Sequence, residues 1–274
     1  MAATSTLQLS PVTPRIGAIV SGVDLSQPPS DELVADLRAA WLDHQVLFFR
    51  DQAIDLDAHR NFAAAFGELY THPTIPGPDG YPEALAIRTT AETRKAAGEG
   101  WHSDVSADAE PPSASILRLV EVPPCGGDTL FCSMYAAYDA LSDHWKRFID
   151  PLDARHSTAA RHGGEFGLSI AEHPENVHPV VRTHPETGRK ALFVNQGFTM
   201  SIEGMSKAES RATLDFLFAH CENPAFQVRF QWEPNSMAMW DNRAVMHNAI
   251  YDYHPHTRRG YRFTVKGDRP FRRR

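Results

Sequence analysis

The segments of this chain with strand character are short, and turn-forming residues separate them along the whole sequence. Twenty prolines and 17 glycines are spread over 274 residues and are not concentrated in one linker. The predicted strands are Gln45–Arg50, Ser113–Val120, Leu192–Asn195, Gln227–Trp232, Met237–Trp240 and Tyr261–Val265. Many short strands bounded by turns indicate a β-sandwich or jelly roll, whereas regularly alternating β–α units are not evident.

Three amphipathic segments predict helices that are inserted between these strands. The predicted helix over residues 30–44 is capped by Ser30 and carries acidic residues in its first turn. The predicted helix over residues 56–66 is capped by Asp55. A third helix begins at Ser206, with Glu209 three residues later as in a capping box. We therefore predict a mainly β fold with helical insertions.

One long segment, residues 68–112, is rich in proline, glycine and threonine and has no clear periodicity. A loop of this length inside a compact domain usually has a function. We expect residues 1–274 to form a single domain in which residues 72–100 are an active-site loop.

The composition argues against several classes of partner. A formal charge of −7 without a Lys/Arg stripe is unlike a nucleic-acid binder. The apolar runs are far shorter than the roughly 18 residues that a membrane helix needs, and no secretory signal is visible. Cys125, Cys132 and Cys221 form no CxxC motif, which is typical of reduced thiols. We expect a cytoplasmic protein without membrane or nucleic-acid partners.

The motif search leaves a metal site as the main hypothesis. The sequence has no GxGxxG, P-loop, GxSxG, HExxH or zinc-finger spacing. It has 14 histidines and one HxD triplet, His102-Ser103-Asp104. On extended backbone, residues two apart point to the same side, so this pair could share an ion. A second histidine would complete the facial triad of non-haem Fe(II) oxygenases, although the triplet alone is weak evidence.

Residues near the carboxyl end strengthen this hypothesis. His247 could be the third ligand, and Arg258 and Arg262 alternate with apolar residues as on a half-buried strand. A guanidinium binds carboxylates with two parallel hydrogen bonds and stays charged when partly buried. Each residue alone has an ordinary structural explanation, but their ordered spacing favours a metal site beside an acid-binding site.

The sequence resembles the taurine dioxygenase and phenoxy-herbicide dioxygenase (TauD/TfdA) family, which uses Fe(II), 2-oxoglutarate and O2. The resemblance covers nearly the whole chain and implies a double-stranded β-helix, that is, a jelly roll, in a homo-oligomer. The matching stretches are Trp101–Val105, Gly126–Thr129, His178–Pro185, Phe193–Gln196 and Trp240–Arg243, followed by His247, Arg258 and Arg262.

The resemblance also implies roles for individual residues. The implied Fe(II) ligands are His102, Asp104 and His247, and the implied ligands of the distal carboxylate of 2-oxoglutarate are Thr129 and Arg258. The implied substrate-binding residues are His72, Val105 through its backbone, Phe198 and Arg262. No catalytic residue is expected beyond the metal ligands.

Some positions depart from the taurine-specific enzymes. Ile75 replaces a tyrosine, the loop Gly98–Gly100 lacks an asparagine, and a pocket phenylalanine is replaced near His162. Segments around Ser133–Tyr135 and Ile202–Met205 are closer to the enzymes that cleave chiral phenoxypropionates. The resemblance therefore implies hydroxylation of a small anionic organic acid next to a heteroatom, giving succinate and CO2.

Several alternatives remain open at this stage. Within the oxygenases, the substrate could be an aryloxyalkanoate, a taurine-like alkylsulfonate, an alkyl sulfate ester or another small carboxylic acid. Outside them, the chain could be a non-catalytic acid-binding jelly roll, or a metal-dependent hydrolase that needs neither O2 nor 2-oxoglutarate.

Three further motifs are assigned structural roles. The HPE triplets at His173–Glu175 and His184–Glu186 are predicted to be turns and not metal ligands. Asp241 and Asn242 are predicted to order the strand end that presents His247.

Overall fold

The computed structural model describes residues 7–72, 75–96, 98–159 and 174–273. The strands are β1 Gln8–Pro11, β2 Ala18–Ser21, β3 Val46–Phe49, β4 Leu85–Thr89, β5 Ala114–Glu121, β6 Thr129–Ser133, β7 Asp153–Ser157, β8 Glu175–Pro179, β9 Val181–Thr183, β10 Lys190–Leu192, β11 Thr199–Ile202, β12 Gln227–Phe230, β13 Met237–Asp241, β14 Val245–Ala249 and β15 Arg258–Val265. The helices are α1 Asp31–His44, α2 Leu56–Ala64, α3 Met134–Asp139, α4 Asp143–Ile149 and α5 Lys207–Cys221. Sequence positions His162 and His173 lie outside the described residues.

The three predicted helices begin at the predicted capping residues. Ser30 Oγ accepts the Leu33 amide at 3.2 Å, and Asp55 accepts the Ala58 amide at 2.8 Å. Before α5, the predicted capping box is present. These side chains satisfy amide groups that have no partner within the helix, which fixes where each helix starts. Within the described ranges, no helix has the length and apolarity required to cross a bilayer.

The described strands form one large sheet and several small ones. The large sheet has seven strands in the order β1-β2-β3-β13-β5-β15-β4, and a three-stranded sheet has the order β12-β6-β14. The strand pairs are antiparallel apart from the parallel pair β2–β3. Alternate residues of a strand face opposite sides of a sheet, so each face of the large sheet can bury its own layer.

The two faces of the large sheet pack against different partners. On one face, Phe48 and Trp240 pack with Phe131 of β6, which joins the large sheet to the three-stranded sheet. On the other face, Phe49 and Phe62 pack edge to face, so that the helices cover this side. Sheet on sheet with helices outside is the jelly-roll arrangement that the sequence predicted.

The sequence predicted six of the fifteen strands that the structure describes, and β4 and the segment after β10 illustrate the differences. Residues 68–112 were predicted to be irregular, yet β4 lies inside this segment and pairs with β15, Leu85 opposite Arg262 and Thr89 opposite Arg258. Only alternate residues of β4 are turned inward, so its apolar signal is weak. The predicted strand at Leu192–Asn195 ends at Leu192, and Asn195 belongs to the following turn.

Strand β15 passes very close to its neighbour at Gly260. A Cβ atom added there would lie 2.2 Å from the carbonyl oxygen of Arg118 on β5. Only glycine can be accommodated at this distance. Arg258 and Arg262 therefore lie on either side of this tight contact between β15 and β5.

Candidate active site

His102, Asp104 and His247 converge in the interior of the jelly roll. Their ligand atoms all lie within 4.8 Å of one another, and the three residues are buried. Asp104 Oδ1 is 3.7 Å from His102 Nε2 and 3.9 Å from His247 Nε2. Two imidazoles and one carboxylate grouped at this distance fit a divalent metal of the facial-triad type, which leaves further coordination positions for small ligands.

The backbone sets the spacing of the two histidines. His247 lies on β14, and His102 pairs with it as an isolated antiparallel bridge. The amide of His102 donates to the carbonyl of His247 at 3.0 Å, and the reverse bond is 2.7 Å. The imidazole of His102 is oriented by a 2.8 Å contact between Nδ1 and the carbonyl of Gly100. This contact turns Nε2 toward Asp104, as metal-binding histidines require.

A buried hydrogen-bond chain orients Asp104. Ser115 Oγ, on β5, donates to Asp104 Oδ2 at 2.7 Å, and Asn242 Nδ2 donates to Ser115 Oγ at 2.9 Å. Trp240 Nε1 donates to Asn242 Oδ1 at 3.0 Å. Asn242 therefore supports the carboxylate through Ser115, which adds to the predicted role near His247.

Asp241, the neighbour of Asn242, belongs to a different network. Its carboxylate accepts two hydrogen bonds from the guanidinium of Arg243 and one from the Arg243 amide, and it lies 3.0 Å from His184 Nε2. His184 Nδ1 accepts the amides of Glu186 and Thr187, so the triplet His184–Glu186 forms the predicted turn and stays away from the metal ligands.

The charges around Asp104 keep it ionised. Burial alone would raise the pKa of this carboxyl, but Arg262, His247, His102 and the hydrogen bond from Ser115 together hold the pKa well below its usual range. Arg262 Nη1 lies 2.7 Å from Asp104 Oδ1, and Ser115 Oγ is equally close to Oδ2. An ionised carboxylate is the form that binds a metal cation.

Arg258 and Thr129 form the second predicted part of the site. Arg258 is 4% exposed, and among the described residues its Nε and Nη2 atoms have no hydrogen-bond partner. Burial lowers the pKa of Arg258. Thr129 is buried on β6, two register positions from the partner of His247. A buried guanidinium with unpaired donors is costly unless an anion satisfies it.

Three of the four predicted substrate-binding residues line one pocket. His72, Val105 and Arg262 share it with Tyr70 and Ile75. Val105 has φ of 48°, a left-handed conformation that a β-branched residue rarely adopts. Strained backbone of this kind clusters at functional sites, and here it directly follows the carboxylate of Asp104.

Phe198, the fourth predicted substrate-binding residue, lies close to His102. Its ring centre is 6.4 Å from that of His102, and the side chain is buried. Asn195, to which sequence reasoning gave no role, holds this turn: its Oδ1 accepts the Phe198 amide at 2.9 Å, and its Nδ2 donates to Ser106 Oγ at 3.0 Å. Asn195 therefore ties Phe198 to the segment that follows Asp104.

Sequence reasoning missed Ser115 and Asn195 for different reasons. Ser115 is an ordinary serine within a buried strand, and only the pairing of β5 with β13 brings it near Asn242. Asn195 lies within Phe193–Gln196, one of the stretches that resemble the family, so a role for it near the site could have been predicted.

The jelly roll holds a buried triad of two histidines and one aspartate, and a buried arginine, Arg258, with donors that have no partner among the described residues. These features define the class of iron-dependent 2-oxo-acid oxygenases. The family described as "Taurine catabolism dioxygenase TauD, TfdA family" matches residues 8–264. The chain belongs to the TauD/TfdA family of dioxygenases, which use Fe(II), 2-oxoglutarate and O2.

Two relatives illustrate the range of the family. The chain is 36% identical over 280 residues to an alpha-ketoglutarate-dependent sulfate ester dioxygenase of Pseudomonas putida, covering 96% of this chain and 91% of the relative. It is 32% identical to the (S)-phenoxypropionate/alpha-ketoglutarate-dioxygenase of Sphingobium herbicidovorans, covering 88% of each chain.

Solved structures show the same fold. A taurine dioxygenase from Burkholderia xenovorans superposes with a TM-score of 0.85 at 40% identity, over 96% of this chain and 90% of that one. AAD-2 in complex with Mn(II) and N-oxalylglycine superposes with a TM-score of 0.84 at 30% identity, over 97% of this chain and 99% of that one.

Proposed function

We propose that this dioxygenase hydroxylates a small organic acid at a carbon next to a heteroatom, with His102, Asp104 and His247 as the Fe(II) ligands. The observation that carries this proposal is the pocket lined by His72, Val105 and Arg262, of which Val105 directly follows Asp104 and Arg262 contacts its carboxylate. An acid bound there would be held next to the metal ligands. Bound iron supplies the chemistry that couples oxidative decarboxylation of 2-oxoglutarate to oxidation of the substrate.

The chain itself contributes positioning and exclusion of water. We assign the distal carboxylate of 2-oxoglutarate to Arg258, whose buried donors need an anion, and to the hydroxyl of Thr129. A planar guanidinium can bind both carboxylate oxygens, which fixes the orientation of the cosubstrate as well as its affinity.

The substrate anion is assigned to Arg262, His72 and the backbone of Val105, with Phe198 beside the reacting carbon. Ile75, in the position that is a tyrosine in taurine-specific enzymes, lines this pocket. An apolar side chain there suits an aryl or alkyl group better than an amine. This supports an aryloxyalkanoate, an alkylsulfonate or an alkyl sulfate ester over taurine, and the two relatives named above act on compounds of these kinds.

A screen of cosubstrate consumption tests the proposal. Purified protein with Fe(II), ascorbate, 2-oxoglutarate and O2 is incubated with panels of alkylsulfonates, alkyl sulfates and phenoxyalkanoic acids, and succinate is measured. We expect strong stimulation by one panel and little by taurine. The Asp104→Ala variant should form no succinate above background. Stimulation by taurine alone would contradict the substrate assignment, and full turnover by Asp104→Ala would contradict the ligand assignment.

We further propose that the enzyme acts in the cytoplasm as a homo-oligomer. Cys132 and Cys221 are free thiols in the interior, which suits a reducing compartment. Phe148 and Phe216 are exposed aromatic side chains on α4 and α5 that a second copy could cover. Light scattering coupled to size-exclusion chromatography measures the assembly, and a monomer at micromolar concentration would contradict this proposal.

A further inference from the structure

The indole of Trp232 contacts both side chains assigned to the distal carboxylate of 2-oxoglutarate. Its Nε1 donates to Thr129 Oγ1 at 3.0 Å, and its ring lies 5.6 Å from the guanidinium carbon of Arg258. All three residues are buried. We propose that Trp232 is a positioning residue of the cosubstrate site, an inference that rests on the proposed function of Thr129 and Arg258.

The hydrogen bond from Trp232 determines whether the Thr129 hydroxyl donates or accepts in its other contacts. An indole N–H can only donate, so Thr129 Oγ1 must be the acceptor. The hydroxyl then has its own proton to give to another group, and a carboxylate oxygen is the acceptor that the proposed cosubstrate would bring. Trp232 thus fixes Thr129 as a donor before the cosubstrate binds.

The second contact acts on Arg258. A guanidinium within about 6 Å of an indole centroid is attracted by the electron-rich ring face. Among the described residues no side chain accepts a hydrogen bond from Nε or Nη2 of Arg258, so the ring gives the buried cation a partner that leaves these donors available. Phe230 packs edge to face on Trp232, with ring centres 4.9 Å apart, and restricts movement of the indole.

The first experiment measures binding and not turnover. Dissociation constants are determined by calorimetry without O2 for protein loaded with Mn(II), using 2-oxoglutarate and 2-oxovalerate, which has a methyl group in place of the distal carboxylate. For Trp232→Phe, which keeps an aromatic ring but loses the N–H, we expect 2-oxoglutarate to bind about fivefold more weakly. Binding of 2-oxovalerate should not change.

Trp41→Phe is the matched control. Trp41 is another buried tryptophan with an arginine, Arg243, over its ring, and among the described residues its Nε1 has no hydrogen-bond partner. This control should leave both dissociation constants unchanged. Equal weakening in the two variants, or equal weakening of both ligands, would overturn the inference.

A double-mutant cycle separates the inference from the function on which it rests. If Trp232 acts through Thr129, then Trp232→Phe combined with Thr129→Val should bind 2-oxoglutarate no more weakly than Thr129→Val alone. If the double variant weakens 2-oxoglutarate binding by the product of the two single effects, the role of Trp232 is overturned. If Thr129→Val and Arg258→Lys both bind 2-oxoglutarate normally, the cosubstrate site itself is wrong. Weak binding by these two with normal binding by Trp232→Phe refutes only the positioning role.

A measurement on the unmodified chain covers the case in which Trp232→Phe does not fold. The five tryptophans each give one indole N–H signal in a nitrogen–proton NMR spectrum of protein loaded with Zn(II). The Trp232 signal is identified by removing the other four in turn. We expect 2-oxoglutarate to shift it clearly and 2-oxovalerate to leave it in place. Equal shifts with both ligands would overturn the inference.

Discussion

At the scale of single residues, the site depends on neighbouring groups that hydrogen-bond the proposed metal ligands and orient them. Asp104 shows this most clearly, because each of its oxygens has a different environment. Oδ1 faces the two histidines and Arg262, whereas Oδ2 accepts a hydrogen bond from Ser115. Fixing one oxygen leaves the other oriented toward the metal position.

Removal of the Ser115 hydroxyl should weaken metal binding. For Ser115→Ala we expect Fe(II) affinity to fall by about 10- to 100-fold, the usual cost of losing a group that orients a ligand. Affinity is measured by anaerobic metal titration. Ser113→Ala is the control, because Ser113 is a nearby serine whose hydroxyl donates to the carbonyl of Lys266 at 2.8 Å. Equal Fe(II) affinity in wild type and Ser115→Ala would contradict this role.

The sequence predicted the site unevenly at this scale. The pairing of His102 with Asp104 was suggested by their two-residue spacing, which is a local property. His247 was added because of the ordered residues around it and the resemblance to the family, and the structure brings the three together. Ser115 and Trp232 could not be predicted, since their relevance depends on strand pairings between distant segments. The contact of Arg262 with Asp104 was also not foreseen, because strand alternation gives the face of a residue but not its partner.

At the scale of elements, turns carry two of the four residues proposed to bind the substrate. Val105 lies in a strained turn after Asp104, and Phe198 lies in the turn before β11. Asn195 and Ser106 connect these two turns by a buried hydrogen bond. The turns that carry Val105 and Phe198 are therefore joined by a polar contact between loops as well as by the sheets.

Removing the hydrogen bond between Asn195 and Ser106 should weaken binding of the substrate more than binding of the cosubstrate. For Asn195→Ala we expect the KM for the organic acid to rise several-fold, while the KM for 2-oxoglutarate stays near the wild-type value. Ser106→Ala is a milder comparison, since it removes one bond of Asn195 but keeps the one to the Phe198 amide. Steady-state kinetics with each compound varied separately measure this, and parallel changes in both KM values would argue against it.

Element boundaries were predictable where a local rule decides them. The helix starts at Ser30, Asp55 and Ser206 follow from capping chemistry, and all three were confirmed. Strand β4 escaped prediction because it is half-exposed and owes its conformation to pairing with β15. Tertiary pairing of this kind leaves little trace in a short sequence window.

At the scale of the whole molecule, several histidines are buried in neutral form away from the proposed metal site. Burial lowers the pKa of His59 to about 3, with a further contribution from Arg118. Burial also lowers the pKa of His156 to about 3 and that of His178 to about 4. In the unfolded chain these groups would titrate near the ordinary value of about 6.5.

This difference predicts how stability depends on pH. Between about pH 6.5 and pH 4 the unfolded chain binds more protons than the folded one, so the free energy of unfolding should decrease as pH falls through this window. Urea unfolding in the presence of EDTA, between pH 7 and pH 5, measures the slope. His59→Gln should reduce it by about one proton. A slope that is the same in the wild type and in His59→Gln would contradict the prediction.

The reciprocal backbone bonds between His102 and His247 have a consequence for how the family could diversify. Because main-chain hydrogen bonds hold the backbones of the two histidines together, their separation does not depend on the side chains of the surrounding loops. Loop residues such as Ile75 can then be exchanged during evolution without dismantling the oxidising centre. New substrates can be acquired on an unchanged reactive core.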